Sequence, residues 1–215
     1  MKSMKEIKRE WFAWLIREEL LSHYPDAAGD LPGGWRAVAR ETAAFYERGE
    51  KVPEAHWKKA YAPAAAAPAA AAYAALARAD AVAAATAAAR AAYNDAYFVD
   101  DFASYAADSY VRRMAEALVR IAELEPMPEL DATILTALED GGTLDMEFYH
   151  SRGCRTTHCR AGWATTLHPR GPELEVAFGP RLAGAAIYLA STGVVPDFFA
   201  SDTAALASIR KGATR

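Results

Sequence analysis

The stretch FVDDFASYAADSYVRRMAEALVRIAEL, residues 98–124, decides the fold class of this chain of 215 residues. Its large apolar residues recur every three or four positions, which places them along one stripe of an α-helix. Pro126 and Pro128 follow directly, and we expect them to end the helix in a hinge. The stripe consists of Phe102, Tyr105, Tyr110, Met114, Leu118 and Ile121.

An alanine-rich run, residues 60–92, precedes this helix. Alanine has the highest helix propensity and lets neighbouring helices approach closely. Pro63 and Pro68 break the start of the run, so we predict one long helix over 69–92. Such a segment suits either a helical hairpin packed on the first helices or an extended helix that binds a partner, including a second copy of this chain.

Helical periodicity also covers the N-terminal end of the chain. It predicts an amphipathic helix from residue 7 that Pro25 stops, and a second helix over 35–46 that ends before Gly49. Pro53 is well placed in the first turn of a further helical segment over 53–61.

Short helices account for the C-terminal part. They are predicted over 131–138 with Asp131 as N-cap, over 172–178, over 180–190, and after Ser201 or Asp202 as the cap of the last helix. No alternating strand pattern of useful length appears. The sequence therefore predicts an all-α, mostly helical protein, with an alanine-rich helical region in residues 1–126 and a small helical Cys/His module in residues 127–215.

Composition excludes several classes of function. The formal net charge of −4 argues against general nucleic-acid binding, which needs a concentrated basic face. Arg78, Asp80 and Arg90 interrupt the alanine-rich run, so no membrane span is expected. Charged residues within the first 21 residues argue against a signal peptide, and we expect a cytoplasmic protein with reduced cysteines or cysteine metal ligands.

Both cysteines lie in the stretch LDMEFYHSRGCRTTHCRAGW, residues 144–163, which we call the Cys/His segment. This stretch resembles the common motif of a family of bacterial and phage-associated proteins, in which Leu-Asp-Met, a Trp-His pair, a cysteine and Thr-Thr-His-Cys-Arg-Ala-Gly-Trp follow one another. Tyr149 stands where the family has tryptophan. The resemblance covers the last 85 residues or so and implies an accessory factor of phages or mobile elements, with no assigned activity.

The residues of this stretch suit three chemistries, of which zinc binding is the first. Zinc prefers nitrogen and sulfur donors in a tetrahedral set. The spacing here is more compact than in common zinc modules, and the last two donors are adjacent, so they point in different directions on a helix. Zinc is the one cofactor that the sequence suggests, and its ligands would be His150, Cys154, His158 and Cys159.

The second chemistry is a reactive thiol. If Thr156 or Thr157 caps the following helix, Cys159 lies in its first turn, where unpaired N–H groups and the helix dipole favour a thiolate. The flanking arginines, Arg155 and Arg160, are expected to lower the thiol pKa further. The catalytic set would be Cys159 as nucleophile, His150 as general base and Asp145 as the orienting carboxylate.

The third is binding of an anion without chemistry. Arginines and threonine hydroxyls beside a helix N-terminus form a cradle for phosphate, a carboxylate or an acidic partner. The cradle would consist of Arg152, Arg155, Thr156, Thr157 and Arg160.

A structural interpretation competes with all three chemistries. In it, both cysteines pack inside, His150 satisfies a buried backbone group and Trp163 anchors the core. We therefore predict a non-enzymatic binding protein, whose ligand is a protein partner or a small anion and whose Cys/His segment organises the fold or a small site. A thiol enzyme and a zinc module remain the alternatives.

Overall fold

The computed structural model describes residues 2–20, 35–53, 56, 100–147 and 156–214. Within these residues the protein is mostly helical, with eight α-helices and one pair of two-residue strands, so the predicted all-α class is confirmed. The predicted helix over 69–92 and nearly all of the predicted segment 53–61 lie outside the described residues. No helix in the described part of the chain combines the length and apolar character that crossing a membrane requires.

The chain divides into two compact units, Met1–Tyr110 and Val111–Arg215. The predicted boundary between residues 126 and 127 falls inside the second unit.

The N-terminal unit contains α1 (Met4–Trp14), which continues as a π-helical segment, Leu15–Leu20, and α2 (Trp35–Arg48). Ser3 starts α1 because its hydroxyl accepts from the Glu6 N–H while the Glu6 carboxylate accepts from the Ser3 N–H, a capping box that satisfies two otherwise unpaired donors. The apolar side of α1 packs against α2. The buried residues of this core include Ile7, Trp11, Phe12, Leu15, Ile16, Ala39 and Ala43.

The C-terminal unit begins within α3 (Asp100–Ala122). The remaining elements follow in the order α4 (Leu130–Glu139), β1 (Thr143–Leu144), β2 (Thr157–His158), α5 (Arg160–Leu167), α6 (Gly171–Phe178), α7 (Pro180–Thr192) and α8 (Asp202–Ala213). These bounds confirm the helices predicted in this part of the chain. Gly193 ends α7 with φ +74°, a conformation that glycine adopts without strain.

Helix capping matches the sequence prediction at one end and differs at another. Ser201 caps α8, since its hydroxyl accepts from the Ala204 N–H. The prediction that Asp131 caps α4 is wrong. Glu129 is the N-cap, with φ +58° and no side-chain capping bond, and Asp131 lies in the first turn of α4 with 6% exposure. The Asp131 side chain is therefore buried in the C-terminal unit and does not cap the helix.

Two close contacts between backbones position α5. A Cβ atom on Gly184 of α7 would lie 2.6 Å from the Ala161 Cβ, so the glycine allows α5 and α7 to approach each other. The strand pair places Thr143 opposite Thr157 and Leu144 opposite His158 in parallel register. Residue 158 is followed directly by the cap of α5, so the strand pair and the contact with α7 together fix where α5 begins.

Candidate functional site

The structure describes six of the ten predicted site residues. These are Asp145, Thr156, Thr157, His158, Cys159 and Arg160. The other four, His150, Arg152, Cys154 and Arg155, lie outside the described residues.

Cys159 is the N-cap residue of α5, with φ −72° and ψ 174°. Its Sγ atom accepts from the Gly162 N–H at 3.4 Å, and the residue is only 2% exposed. The condition that Thr156 or Thr157 caps this helix is not met, because Thr157 belongs to β2 and the cysteine itself takes the cap position. The sulfur thus has the role that serine or threonine oxygens usually have at helix starts.

Burial raises the pKa of the Cys159 thiol, and this effect exceeds the opposing effect of the backbone N–H groups of Gly162 and Ala161. The predicted lowering of this pKa is wrong, because loss of hydration disfavours the thiolate more than the helix N-terminus favours it. The charge of Glu175 acts in the same direction as burial. Nucleophilic cysteines are usually exposed and have lowered pKa values, so the environment of Cys159 is typical of a structural thiol.

His158 precedes the cap and is also buried, with 4% exposure. Its ring meets Trp163 edge to face, at 4.6 Å between centroids, a favoured arrangement for aromatic pairs. Trp163 is 5% exposed and its indole N–H donates to the Thr143 carbonyl at 3.2 Å. The indole therefore anchors the core as predicted, and it ties α5 to the strand pair.

Arg160 follows the cap and points into the interior with 5% exposure. Its Nη2 donates to both carboxylate oxygens of Asp131, at 3.0 and 3.2 Å. Its Nε donates to the Tyr188 hydroxyl and its Nη1 to the Ser208 hydroxyl, each at 2.8 Å. The guanidinium therefore binds groups from α4, α7 and α8 of the C-terminal unit, and of these groups the Ser208 side chain belongs to an exposed residue.

The partners of Arg160 also bind one another. The Tyr188 hydroxyl donates to Asp131 Oδ1 at 2.9 Å, and the Arg160 guanidinium carbon lies 4.7 Å from the centre of the Tyr188 ring. Gly212 lies so close that a Cβ there would be 1.9 Å from Asp131 Oδ2. We call Asp131, Arg160, Tyr188 and Ser208 the polar core; it satisfies the buried charges with hydrogen bonds, as such groups require.

Sequence reasoning missed three members of the polar core: Asp131, Tyr188 and Ser208. A weak signal existed for two of them. Asp131 interrupts the apolar pattern of α4, and Tyr188 is the one residue with a polar side chain in the stretch LAGAAIYLA, residues 182–190. A polar group on an apolar helix face implies a buried partner, but nothing in the sequence says which residue that partner is.

Asp145 lies in the turn after β1. Its carboxylate accepts from the Glu147 N–H at 3.0 Å, and its own N–H donates to the His158 carbonyl at 3.1 Å. The next residue, Met146, accepts the Arg160 N–H on its sulfur at 3.4 Å. These bonds stabilise the turn and the start of α5, while the proposed catalytic partner of Asp145, His150, lies outside the described residues.

Metal binding receives no geometric support from the described residues. Among them, no group of three or more His, Cys, Asp or Glu side chains is arranged to hold a metal ion. Since His150 and Cys154 are not described, the predicted zinc site stays a prediction.

No family model, curated protein or solved structure matches this chain.

Proposed function

We propose that this chain is a non-enzymatic binding protein in which the Cys/His segment organises the fold of the C-terminal unit. The observation that carries the proposal is the burial of three consecutive side chains, His158, Cys159 and Arg160, which are 4%, 2% and 5% exposed. Each has an internal contact: His158 with Trp163, Cys159 with Gly162, and Arg160 with Asp131. A segment whose most chemically active side chains face inward stabilises a fold more readily than it binds a substrate.

Exposed apolar side chains support a binding role. Phe199 is 69% exposed, Val194 55% and Val176 90%, and exposed apolar side chains mark interaction sites where they form a contiguous patch. The loop that carries Phe199 is held in place, because Phe198 is buried against Tyr188, with 6.0 Å between ring centres, and Asp197 accepts from the Phe199 N–H at 2.7 Å. Phe199 is thus exposed on a loop that these contacts hold, with the Arg181 guanidinium carbon 4.5 Å from the centre of its ring.

The proposed partner is another protein or a small anion. Arg160 is engaged with Asp131, so an anion would depend on Thr156, which is exposed, on Thr157, and on Arg152 and Arg155 outside the described residues. A role as a phage or mobile-element accessory factor, a cytoplasmic location and self-association through the alanine-rich helices belong to the proposal as well, on the support of the sequence alone.

Thiol kinetics test the proposal against the alternative of a thiol enzyme. A Cys154→Ser variant leaves Cys159 as the sole thiol, because the chain has two cysteines. Its alkylation by iodoacetamide at pH 7.5 is compared with that of N-acetylcysteine, in native buffer and in urea. We expect slow native alkylation that reaches the model rate only on unfolding, since burial raises the pKa of the thiol.

Native alkylation as fast as that of N-acetylcysteine would overturn the proposal, and the enzyme alternative requires alkylation faster than that of N-acetylcysteine. The unsubstituted chain, treated with and without a chelator, serves as a control for zinc. If the chelator releases both thiols together and elemental mass spectrometry finds one zinc per chain, the metal alternative is correct.

A further inference from the structure

We propose that His168 and Arg170 form an acid-sensitive latch, which holds the end of α3 and the linker 123–129 against the corner between α5 and α6 and opens when the His168 imidazole takes up a proton. The latch lies wholly within the C-terminal unit and does not depend on the binding role proposed above.

His168 is positioned by the end of α5. It is the C-cap residue, its N–H donates to the Ala164 carbonyl at 3.1 Å, and it is 5% exposed. The ring Nδ1 accepts from the Arg170 N–H at 3.1 Å, so in the neutral ring the proton is on Nε2. Nε2 lies 3.2 Å from the Glu125 carbonyl and donates to it. One tautomer of the neutral ring therefore joins the corner to the linker.

Arg170 forms the second half of the latch. Its Nη1 donates at 3.3 Å to the carbonyl of Ala122, the last residue of α3. The last carbonyls of a helix have no partner within it, so this bond satisfies one of them. The corner thus binds two carbonyls close together in the chain, those of Ala122 and Glu125.

Other contacts also hold the linker, including those of the Leu124 side chain, which is 6% exposed. The Leu124 N–H donates to the Val119 carbonyl, and the Met127 N–H donates to the Ser191 hydroxyl, both at 3.0 Å. Glu123 and Glu129, at either end of the linker, have positive φ angles of 48° and 58°, which are unfavourable for residues with a side chain. Contacts with the corner therefore matter for keeping the linker in this conformation.

A proton on Nδ1 leaves the Nε2–H bond to the Glu125 carbonyl in place, but it removes the acceptor of the Arg170 N–H and so disfavours the closed position of the ring. The ring would then present a donor to the Arg170 N–H, and a cation would be buried at the corner. Of the charged groups around the ring, the Arg170 guanidinium disfavours this cation and the Glu125 carboxylate favours it. Glu173 of α6 lies 3.9 Å from Arg170 Nη2 and partly balances the guanidinium.

Burial is the largest effect, and it lowers the pKa of His168 below its ordinary value. A histidine with a lowered pKa in the closed state binds its proton more tightly in the open state. Opening is therefore unaffected above the ordinary pKa of about 6.5 and becomes more favourable as the pH falls below it, by up to about tenfold for each pH unit.

Hydrogen exchange at pH 7.5 and pH 5.0, corrected for the intrinsic exchange rates, tests the latch. We expect peptides that cover 120–130 and 168–174 to lose protection at pH 5.0, while peptides from α8 keep theirs. Two variants that do not titrate serve as controls. His168→Asn keeps an acceptor for the Arg170 N–H, and His168→Gln keeps a donor that reaches the linker. In both, exchange of the linker should be independent of pH.

Equal protection of the linker at both pH values in the unsubstituted chain would overturn the proposal. So would the same acid-induced loss of protection in both variants. If neither variant folds, the ¹⁵N NMR shifts of the His168 ring in the unsubstituted chain decide: the latch requires the Nε2–H tautomer at pH 7.5 and protonation concurrent with the change in the linker. An Nδ1–H tautomer, or titration without a change in the linker, would refute it.

Discussion

The Arg160 guanidinium lies 3.0 Å from the Asp131 carboxylate, with both side chains less than a tenth exposed. The two residues are 29 positions apart in the chain and belong to α5 and α4. Removing two charges from water is unfavourable unless geometry and further hydrogen bonds compensate for it. Here Tyr188 and Ser208 supply those bonds, so the pair specifies how α4, α5, α7 and α8 meet.

Arg160→Lys should destabilise the C-terminal unit although it keeps the charge. A planar guanidinium donates in three directions at once, which an ammonium on a flexible stem cannot reproduce. We expect the free energy of unfolding to fall by about 2 kcal/mol, since at least one charged hydrogen bond is lost. Urea unfolding followed by circular dichroism measures the change. Arg210→Lys, at an exposed position of α8, is the matched control and should change it by no more than about 0.5 kcal/mol.

Tyr188→Phe should destabilise by about 1–3 kcal/mol, because it removes the acceptor of the Arg160 Nε–H and one of the two donors to Asp131 Oδ1. Burial raises the pKa of Tyr188, so its hydroxyl stays neutral in the folded state and its stabilising effect is lost as the pH rises above the ordinary tyrosine pKa of about 10. In an alkaline titration at 295 nm, the two proteins should differ by one tyrosinate only after unfolding. A difference that appears while both are still folded would mean that Tyr188 is accessible.

Gly212→Ala tests the packing of α8 on the polar core. Helix propensity alone predicts that alanine is more stable than glycine by up to about 1 kcal/mol. The new Cβ would lie 1.9 Å from Asp131 Oδ2, so we expect a loss of about 1–3 kcal/mol instead. In an Asp131→Ala background the same substitution should become much less costly, because the clashing carboxylate is gone. An equal effect in both backgrounds would contradict the close contact.

Cys159→Ser and Cys159→Ala separate the capping role of the sulfur from its packing. Serine retains an acceptor for the Gly162 N–H and is a preferred N-cap residue, whereas alanine removes the acceptor. We expect the alanine variant to be less stable than the serine variant by about 1 kcal/mol, as judged by thermal and urea unfolding. If alanine is tolerated as well as serine, the bond to Gly162 contributes little to the start of α5.

The sequence predicted helices well and long-range polar contacts poorly. The stripe in α3 and the glycine and proline boundaries of α6 and α7 are local patterns, and the structure confirms the helices they predict. The sequence also suggested a local role for Asp131, because an aspartate before an apolar run often caps a helix. Its actual role depends on Arg160, and a polar residue in an apolar helix does not reveal which distant residue is its partner.

In the Cys/His segment, too, the sequence predicted the local features but not those that depend on long-range packing. The unusual composition of the segment marked it correctly as the start of a buried helix with Trp163 in the core. The pKa of Cys159 was predicted in the wrong direction because a helix N-terminus favours the thiolate, and the sequence does not reveal how deeply the sulfur is buried. Burial, which depends on how α5 packs against α7, decides between the two effects.

A double-mutant cycle on Asp131 and Arg160 tests most directly that this segment organises the fold. Asp131→Ala and Arg160→Ala should each lower the free energy of unfolding by about 3–5 kcal/mol, because each leaves a buried charge unpaired. The double variant should lose at least about 2 kcal/mol less than the sum. The exposed pair Arg112 and Glu116, 3.0 Å apart on α3, is the control and should couple by no more than about 0.5 kcal/mol. Additive effects for Asp131 and Arg160 would contradict the account.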